Sequence, residues 1–285
     1  MTMIWVPNVS EGRDTAVTGA LVEAVRSQGV SVLDVHSDAL HHRSVITATG
    51  GSKALVDAAA SLAETAADVI DLRAHEGRHP RMGALDVSPF VPHGTEMEAA
   101  VEVARASGRA IHERTGIPIY LYGEAATRAR TRELPELRRG GLEELMRRAA
   151  GDLPPDLGSA IDPRHGVVCV GARGPLIAFN VWLNAPLSIA RAIARAIRGS
   201  AVRALGIEMS PTEAQVSVNL IDPGTVGIDR IFERISGEAS IAGAAVTATE
   251  IVGLVPAHFM PDPDARAARL LREPGRSLES VLAKS

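Results

Sequence analysis

The order of apolar segments predicts an α+β fold made of two ferredoxin-like α/β subdomains, each a sheet with helices packed on one face. Two observations carry this expectation. In the first part of the chain, strand-like runs and runs with helical apolar spacing follow one another as strand, helix, strand, strand, helix, strand. The order nearly recurs in the second half, after a stretch at 151–166 that holds three glycines and three prolines.

The first half begins with a strand over 4–9, followed by a helix over 14–27 and strands over 30–35 and 44–49. A helix over 53–66 and a fourth strand over 69–72, from the apolar Val69, Ile70 and Leu72, complete the first set. A long helix is expected at 95–115, a further strand at 117–122, and a charged, helix-prone segment at 128–148. Glycine and proline make 151–166 the expected linker. Beyond it come strands at 167–171 and 176–183, a helix at 187–198, strands at 202–208 and 214–221, a helix at 228–238 and a strand at 245–252. The expected division is therefore 1–165 for one subdomain, 166–260 for the other, and a helical or frayed tail over 261–285. The halves share no obvious sequence repeat, so duplication is suggested by element order alone.

Composition removes several classes of function. Aromatic residues are 3% of the chain against 46% hydrophobic, so the core must be aliphatic. A formal charge of −4 with scattered lysine and arginine gives no footprint for nucleic acid. No apolar stretch approaches the ~20 residues that cross a bilayer. The residues from Met1 to Pro7 lack the profile of a secretion signal. The single cysteine, Cys169, lies between Val168 and Val170 and reads as a buried, inert thiol. The expectation is a cytoplasmic protein acting on small molecules, with no nucleic-acid or membrane partner.

The chemistry is concentrated at 75–86. His75, Glu76, Arg78, His79, Arg81 and Asp86 stand among Gly77, Pro80 and Gly83, residues that break regular backbone structure. A histidine titrates near neutral pH, and arginines beside it favour its neutral form, so His79 is the candidate proton shuttle. His75 and His79 are four apart, as in a zinc-binding helix, but Gly77 and Pro80 argue against that helix, and no metal is expected. Arg43, Arg81 and Arg173 are candidates for gripping carboxylates, because a guanidinium matches a carboxylate bidentately. Asp86 is the candidate for orienting a group of the loop. The turn Gly171-Ala172-Arg173-Gly174-Pro175 between two apolar strands either admits a flat ligand or is a plain hairpin. No helix follows it, so it is not a dinucleotide fingerprint. The chain also has neither a phosphate loop of the lysine-serine type nor a Gly-x-Ser-x-Gly elbow.

Six stretches, in order, carry a family resemblance. They are Val6-Pro7-Asn8-Val9-Ser10-Glu11-Gly12, the run from His79 to Asp86, Pro118-Ile119-Tyr120-Leu121-Tyr122, Gly171-Ala172-Arg173 with Ile177-Ala178-Phe179-Asn180, Gln215 to Leu220, and Glu250 to Pro256. Together they resemble the formiminotransferase family. The resemblance implies transfer of a formimino group from 5-formiminotetrahydrofolate to L-glutamate, a late step of histidine breakdown, by a homodimer of paired ferredoxin-like subdomains with folate in the cleft between them. It implies His79 as the catalytic histidine. It also implies a folate-binding segment over Gly171, Ala172, Arg173, Gly174, Pro175, Leu176, Ile177, Ala178, Phe179 and Asn180, with tetrahydrofolate as carrier and no metal. Arg43, Arg81 and Asp86 then become the expected contacts to the acceptor. One departure stands out: His42 occupies a position where the family usually has asparagine. That leaves a different amine acceptor, for a formimino or formyl group, as the alternative reading. A metal-dependent hydrolase is the more distant one.

Overall fold

The computed structural model describes residues 2–284, and its contacts divide the chain into two units, one ending at Arg173 and one starting at Gly174. In the first unit, strands β1 (Thr2–Trp5) and β2 (Asn8–Val9) form one line interrupted at Pro7. On one side of this line lies β4 (Arg43–Gly50), with β3 (Ser31–Asp38) outside it, and on the other side lies β5 (Leu85–His93). These pairings are all antiparallel and give the ferredoxin-like order. The helices α1 (Thr15–Arg26) and α2 (Ser52–Val69) make its two crossovers. Asp14 starts α1 by accepting hydrogen bonds from Ala16 N at 2.8 Å and Val17 N at 3.2 Å.

The next helix is α3 (Met97–Thr115), and with α1 and α2 it closes an aliphatic core over one face of the sheet. Alanine makes this packing tight: Ala58, Ala59, Ala63 and Ala66 of α2 and Ala100 and Ala104 of α3 are all buried. The scarce aromatics sit in the middle. Trp5 and Phe90 stack at 6.0 Å, and Trp5 donates its indole N–H to Ser88 Oγ at 2.8 Å.

Three expectations for this unit need correction. The run 69–72 is not a strand: α2 continues through Val69, and a 3-10 turn at Leu72–Ala74 follows, with Asp71 accepting from Arg73 N at 3.0 Å. A four-residue apolar run is compatible with a helix end or a strand, and periodicity does not separate them. The fourth strand is β5, which Pro89 and Pro92 hide from a sequence reading. Proline removes a donor only, and the Pro89 carbonyl still accepts from Val6 N at 3.0 Å.

The expected boundary at 165/166 also shifts. Strand β7 (Val168–Ala172) lies between β5 and β6 (Ile119–Gly123), parallel to both, inside the first sheet. The glycine- and proline-rich 151–166 is accordingly a return loop of this unit. Its Leu153 is buried, Leu157 O accepts from Ile119 N at 3.0 Å, and His165 O accepts from Ala84 N at 2.9 Å.

The charged segment 128–148 is two short helices, α4 (Leu134–Arg138) and α5 (Gly141–Ala149), parted at Gly140 with φ +78°. Leu137 and Leu145 pack with Met82, Val87, Tyr120, Tyr122 and Cys169 in a second, smaller core. Helices therefore cover both faces at this end of the sheet. Cys169 is fully buried there, and burial pushes its thiol up to about 12.

The second unit follows the expectation closely. Strands β8 (Ile177–Leu183), β9 (Val202–Ser210), β10 (Glu213–Leu220) and β11 (Val246–Val252) form an antiparallel sheet in the order β11-β8-β10-β9. Helices α6 (Leu187–Ile197) and α7 (Ile228–Ile241) pack on one face against Phe179, Val181, Val216 and Val218. The tail, described from 261 to 284, takes the helical form of the two expected. It carries α8 (Arg266–Arg269) and α9 (Leu278–Leu282), forms parallel bridges at Thr249 with Leu271 and at Val255 with Ser277, and buries Ala267 and Leu278.

At Gly83 the backbones of the histidine loop and the return loop meet, bridging to Gly166. A Cβ on Gly83 would overlap Val167 O and stand 2.7 Å from Leu85 O, whereas one on Gly19 of α1 meets nothing. Gly83→Ala is expected to lower unfolding free energy by at least ~2 kcal/mol through overpacking. Gly19→Ala should raise it by ~0.5–1 kcal/mol through helix propensity. Urea titration of the two variants beside the parent protein checks both signs.

Candidate active site

The buried carboxylate of Asp86, on the second residue of β5, organises the site. Its Oδ1 accepts from Met82 N at 2.7 Å, which ties the strand to the base of the preceding loop. Its Oδ2 accepts from Arg43 Nη1 at 2.6 Å and also from Arg138 Nη2. Burial alone would raise the Asp86 pKa, but Arg138 and Arg43 outweigh it and hold the carboxyl at about 2. The site thus contains two guanidiniums and one carboxylate. Arg43, the first residue of β4, also donates from Nε to Asn8 Oδ1 at 3.0 Å, which joins β4, β2 and β5 at their ends.

His79 is half-buried within electrostatic reach of this cluster. Desolvation, then the charges of Arg43 and Arg138, push its pKa well below the ordinary value. Nδ1 lies 2.7 Å from Pro80 O. A carbonyl oxygen only accepts, so Nδ1 carries the proton and the neutral ring keeps its lone pair on Nε2. The His41 ring stands edge-on to His79, with centroids 5.9 Å apart.

The turn between β3 and β4 holds the loop in place. Arg78 N donates to Leu40 O at 3.1 Å, and Arg81 Nη2 donates to His75 O. The His75 and His42 rings stack at 4.0 Å, and His75 donates from Nε2 to His42 O at 2.9 Å. Burial and Arg81 press the His75 pKa down to about 4, so this ring is neutral too. His42 donates to Glu11 Oε1 at 3.1 Å, and the same oxygen accepts from the backbone N–H groups of Gly12, Arg13 and Asp14. His42 is the one non-glycine residue with positive φ among the described residues, at +50°. Asparagine and histidine are enriched in this left-handed region, which gives the departure at this position a conformational reason. Gly77 is needed for close approach: a Cβ there would overlap His41 O and stand 2.7 Å from His75 Cε1.

The expected site residues therefore divide. Arg43 and Asp86 form an ion pair, His79 lies within electrostatic reach of it, and Arg81 braces the loop. Asp86 does orient a loop group, the Met82 amide, and it also neutralises Arg43. Arg173 lies at the end of β7 and bonds Tyr122, whose hydroxyl is pushed up to about 12 by burial. Gly171 and Ala172 are buried within β7, and a Cβ on Gly171 would strike the Tyr122 ring at 2.6 Å. Ile177 and Phe179 belong to the core of the second unit, while Asn180 donates to Glu250 Oε2 at 2.9 Å. Gly174, Pro175 and Leu176 connect the two strands. His75 and His79 turn to separate carbonyl partners, and among the described residues no three His, Cys, Asp or Glu side chains are placed to hold a metal ion.

Sequence reading missed Asn8, Glu11 and Arg138 as site residues. Asn8 and Glu11 lie in one of the resemblance stretches, which was a usable signal. Arg138 is one arginine in a segment rich in them, and nothing local distinguishes it.

Fold and site together define an α+β protein whose first unit holds a neutral imidazole beside buried guanidiniums. The family model described as "Formiminotransferase domain, N-terminal subdomain" matches residues 2–173, and "Formiminotransferase domain" matches 178–269. Glutamate formimidoyltransferase of Streptococcus pyogenes serotype M1 is 40% identical over 268 residues, 90% of each chain. Glutamate formimidoyltransferase of Thermoplasma acidophilum is 39% identical, over 90% of this chain and 89% of that one. Formimidoyltransferase-cyclodeaminase of Sus scrofa is 38% identical over 90% of this chain but 50% of its own length. The chain belongs to the formiminotransferase family of enzymes.

Asp86 also fixes an acid dependence. Its folded pKa of about 2 lies below the unfolded carboxyl value of 3.8, so its stabilisation is complete above roughly pH 4 and is lost as pH falls toward 2. Asp86→Asn leaves two buried guanidiniums without their counter-charge and should cost ~3–5 kcal/mol at neutral pH. Urea unfolding at several pH values should also show a weaker loss of stability on acidification for the variant than for the parent.

Proposed function

We propose that this enzyme transfers the formimino group of 5-formiminotetrahydrofolate to L-glutamate, with His79 as general base and then general acid. The observation that carries the mechanism is the neutral His79 ring, its proton fixed on Nδ1 by Pro80 O and its lone pair on Nε2. The names of the relatives support donor group and acceptor.

Free glutamate is mostly an ammonium at neutral pH, and the ammonium has no lone pair for attack. Nε2 of His79 takes a proton from it, and the amine forms a bond to the formimino carbon as the carbon–nitrogen double bond opens onto the imino nitrogen. That carbon then carries three nitrogens, of which N5 and the new amine compete to leave. The His79 imidazolium returns its proton to N5 of the folate, so that the double bond re-forms, the bond from N5 to carbon breaks and tetrahydrofolate leaves. No redox step or net proton consumption is required. The cationic surroundings of His79 favour return of the proton, because they make the imidazolium a stronger acid.

Arg43 and Arg81 are proposed as the carboxylate contacts. The two guanidiniums on the single carboxylate of Asp86 leave surplus positive charge near Arg43. For the folate, Arg173, Gly174, Pro175, Leu176, Ala178 and Asn180 are proposed as the contacting part of the segment 171–180. Gly171, Ala172, Ile177 and Phe179 would support it through packing. The His42 ring is engaged by Glu11 and His75, so the departure from asparagine does not itself favour another acceptor.

Incubation with 5-formiminotetrahydrofolate and a panel of amines, with products identified by mass, tests donor and acceptor together. Formiminoglutamate as the sole product is expected; transfer to a different amine in preference to glutamate overturns the assignment. His79→Ala should lower kcat by ~10²–10⁴ while folate binding measured by calorimetry is largely kept. A near-wild-type kcat would remove His79 from the mechanism.

A further inference from the structure

We propose that His41 is a positioning residue for the acid–base step: its ring, set edge-on to His79, fixes the plane in which the Nε2 lone pair points. This rests on His79 being the acid–base residue, and it gives the turn between β3 and β4 a part in the reaction that the transfer mechanism does not itself assign.

The two rings stand at 86° with centroids 5.9 Å apart. An edge-to-face arrangement at this separation is a favoured geometry for a pair of π-systems. The His79 ring needs such a restraint, because it is half-buried, sits on a loop, and hydrogen-bonds through Nδ1 to Pro80 O at 2.7 Å. A bond from one ring nitrogen to a carbonyl lets the imidazole rock about the line of that bond. Rocking tilts the ring plane and swings the Nε2 lone pair off a bound amine. A second ring placed at right angles to the first opposes that motion.

A restraint must itself be held, and His41 is. It is buried, its backbone N–H donates to Asp38 Oδ1 at 2.7 Å, and its carbonyl lies so close to Gly77 that a Cβ there would overlap it. Turn and loop are also tied on both flanks of the ring pair. Arg13 donates from Nε to Ala39 O at 2.8 Å and from Nη2 to Glu76 O at 2.7 Å, while Arg78 N donates to Leu40 O at 3.1 Å. Two histidines of the turn therefore meet two of the loop. His42 lies flat on His75 with its Nε2 engaged by Glu11, which makes that pair a joint of the structure. His41 meets the ring to which the chemistry is assigned, and through the turn it links that ring to the ends of β3 and β4.

The test separates ring contact from proton transfer. His41→Ala removes the ring, and His41→Phe supplies one that presents an edge but cannot carry a proton. Aromatic pairs of this kind correspond to a rate factor of ~2- to 10-fold, so His41→Ala should lower kcat by about that factor. The KM for glutamate and the binding of 5-formyltetrahydrofolate by calorimetry should stay unchanged, and His41→Phe should return kcat toward wild type. NMR of histidine-labelled protein, with His79→Asn identifying the His79 signals, reads the ring itself. The parent should show His79 protonated at Nδ1 and a cross-peak between the His41 and His79 ring protons; in His41→Ala the His79 tautomers should exchange. A wild-type kcat in His41→Ala overturns the proposal. So does a Phe variant as slow as the Ala variant, which would point to a His41 nitrogen rather than its ring contact, and so does a loss of rate with unaltered His79 signals. If neither variant folds, the parent decides, and a missing cross-peak overturns the proposal. If His79→Asn retains full transfer, the acid–base assignment fails and takes the proposal with it, and a cross-peak kept in the parent distinguishes that failure from an absent ring contact.

Discussion

The contact on which the first unit depends is the buried carboxylate of Asp86. Its one oxygen holds the Met82 amide, and the other holds Arg43 and Arg138. Through these partners it connects the end of β5 to the histidine loop, to β4 and to the helix α4. A buried charge without partners would cost several kcal/mol, so each of these elements is held by the penalty of leaving the others unpaired. Such a centre is a poor source of net stability compared with well-packed apolar residues.

The neighbouring imidazoles show the same economy. His42 and His75 are committed to each other, to Glu11 and to a backbone carbonyl, which leaves His79 as the ring of the loop with a mechanistic lone pair. The turn and the loop approach so closely that glycine is required at position 77. Packing thus commits His42 and His75 to structural contacts, and the proposed mechanism assigns the chemistry to His79.

Much of this was legible in the chain. The element order predicted the second sheet within a few residues and only part of the first, because amphipathic spacing reports which face is buried. His79 and Asp86 stood out because titratable groups between backbone breakers need a reason to be there, and Arg43 because a guanidinium at a strand end suits a carboxylate. Three things were hidden. Pro89 and Pro92 disguised the central strand β5, since proline is read as a strand breaker although its carbonyl still pairs. The insertion of β7 between β5 and β6 is a parallel, long-range pairing, which leaves no local trace and moved the boundary to Arg173. Arg138 was one guanidinium among many in a charged segment.

The sequence by itself determined the family, the two α+β units, the aliphatic core and the loop in which titratable groups are concentrated, because these follow from composition, periodicity and motif. Only the tertiary structure decided the protonation of the imidazole. Its pKa is pushed down by burial first and then by the charges of Arg43 and Arg138, and a carbonyl fixes its tautomer. Electrostatic energy depends on distance and burial rather than on order along the chain, so this part of the protein is invisible until the chain is folded.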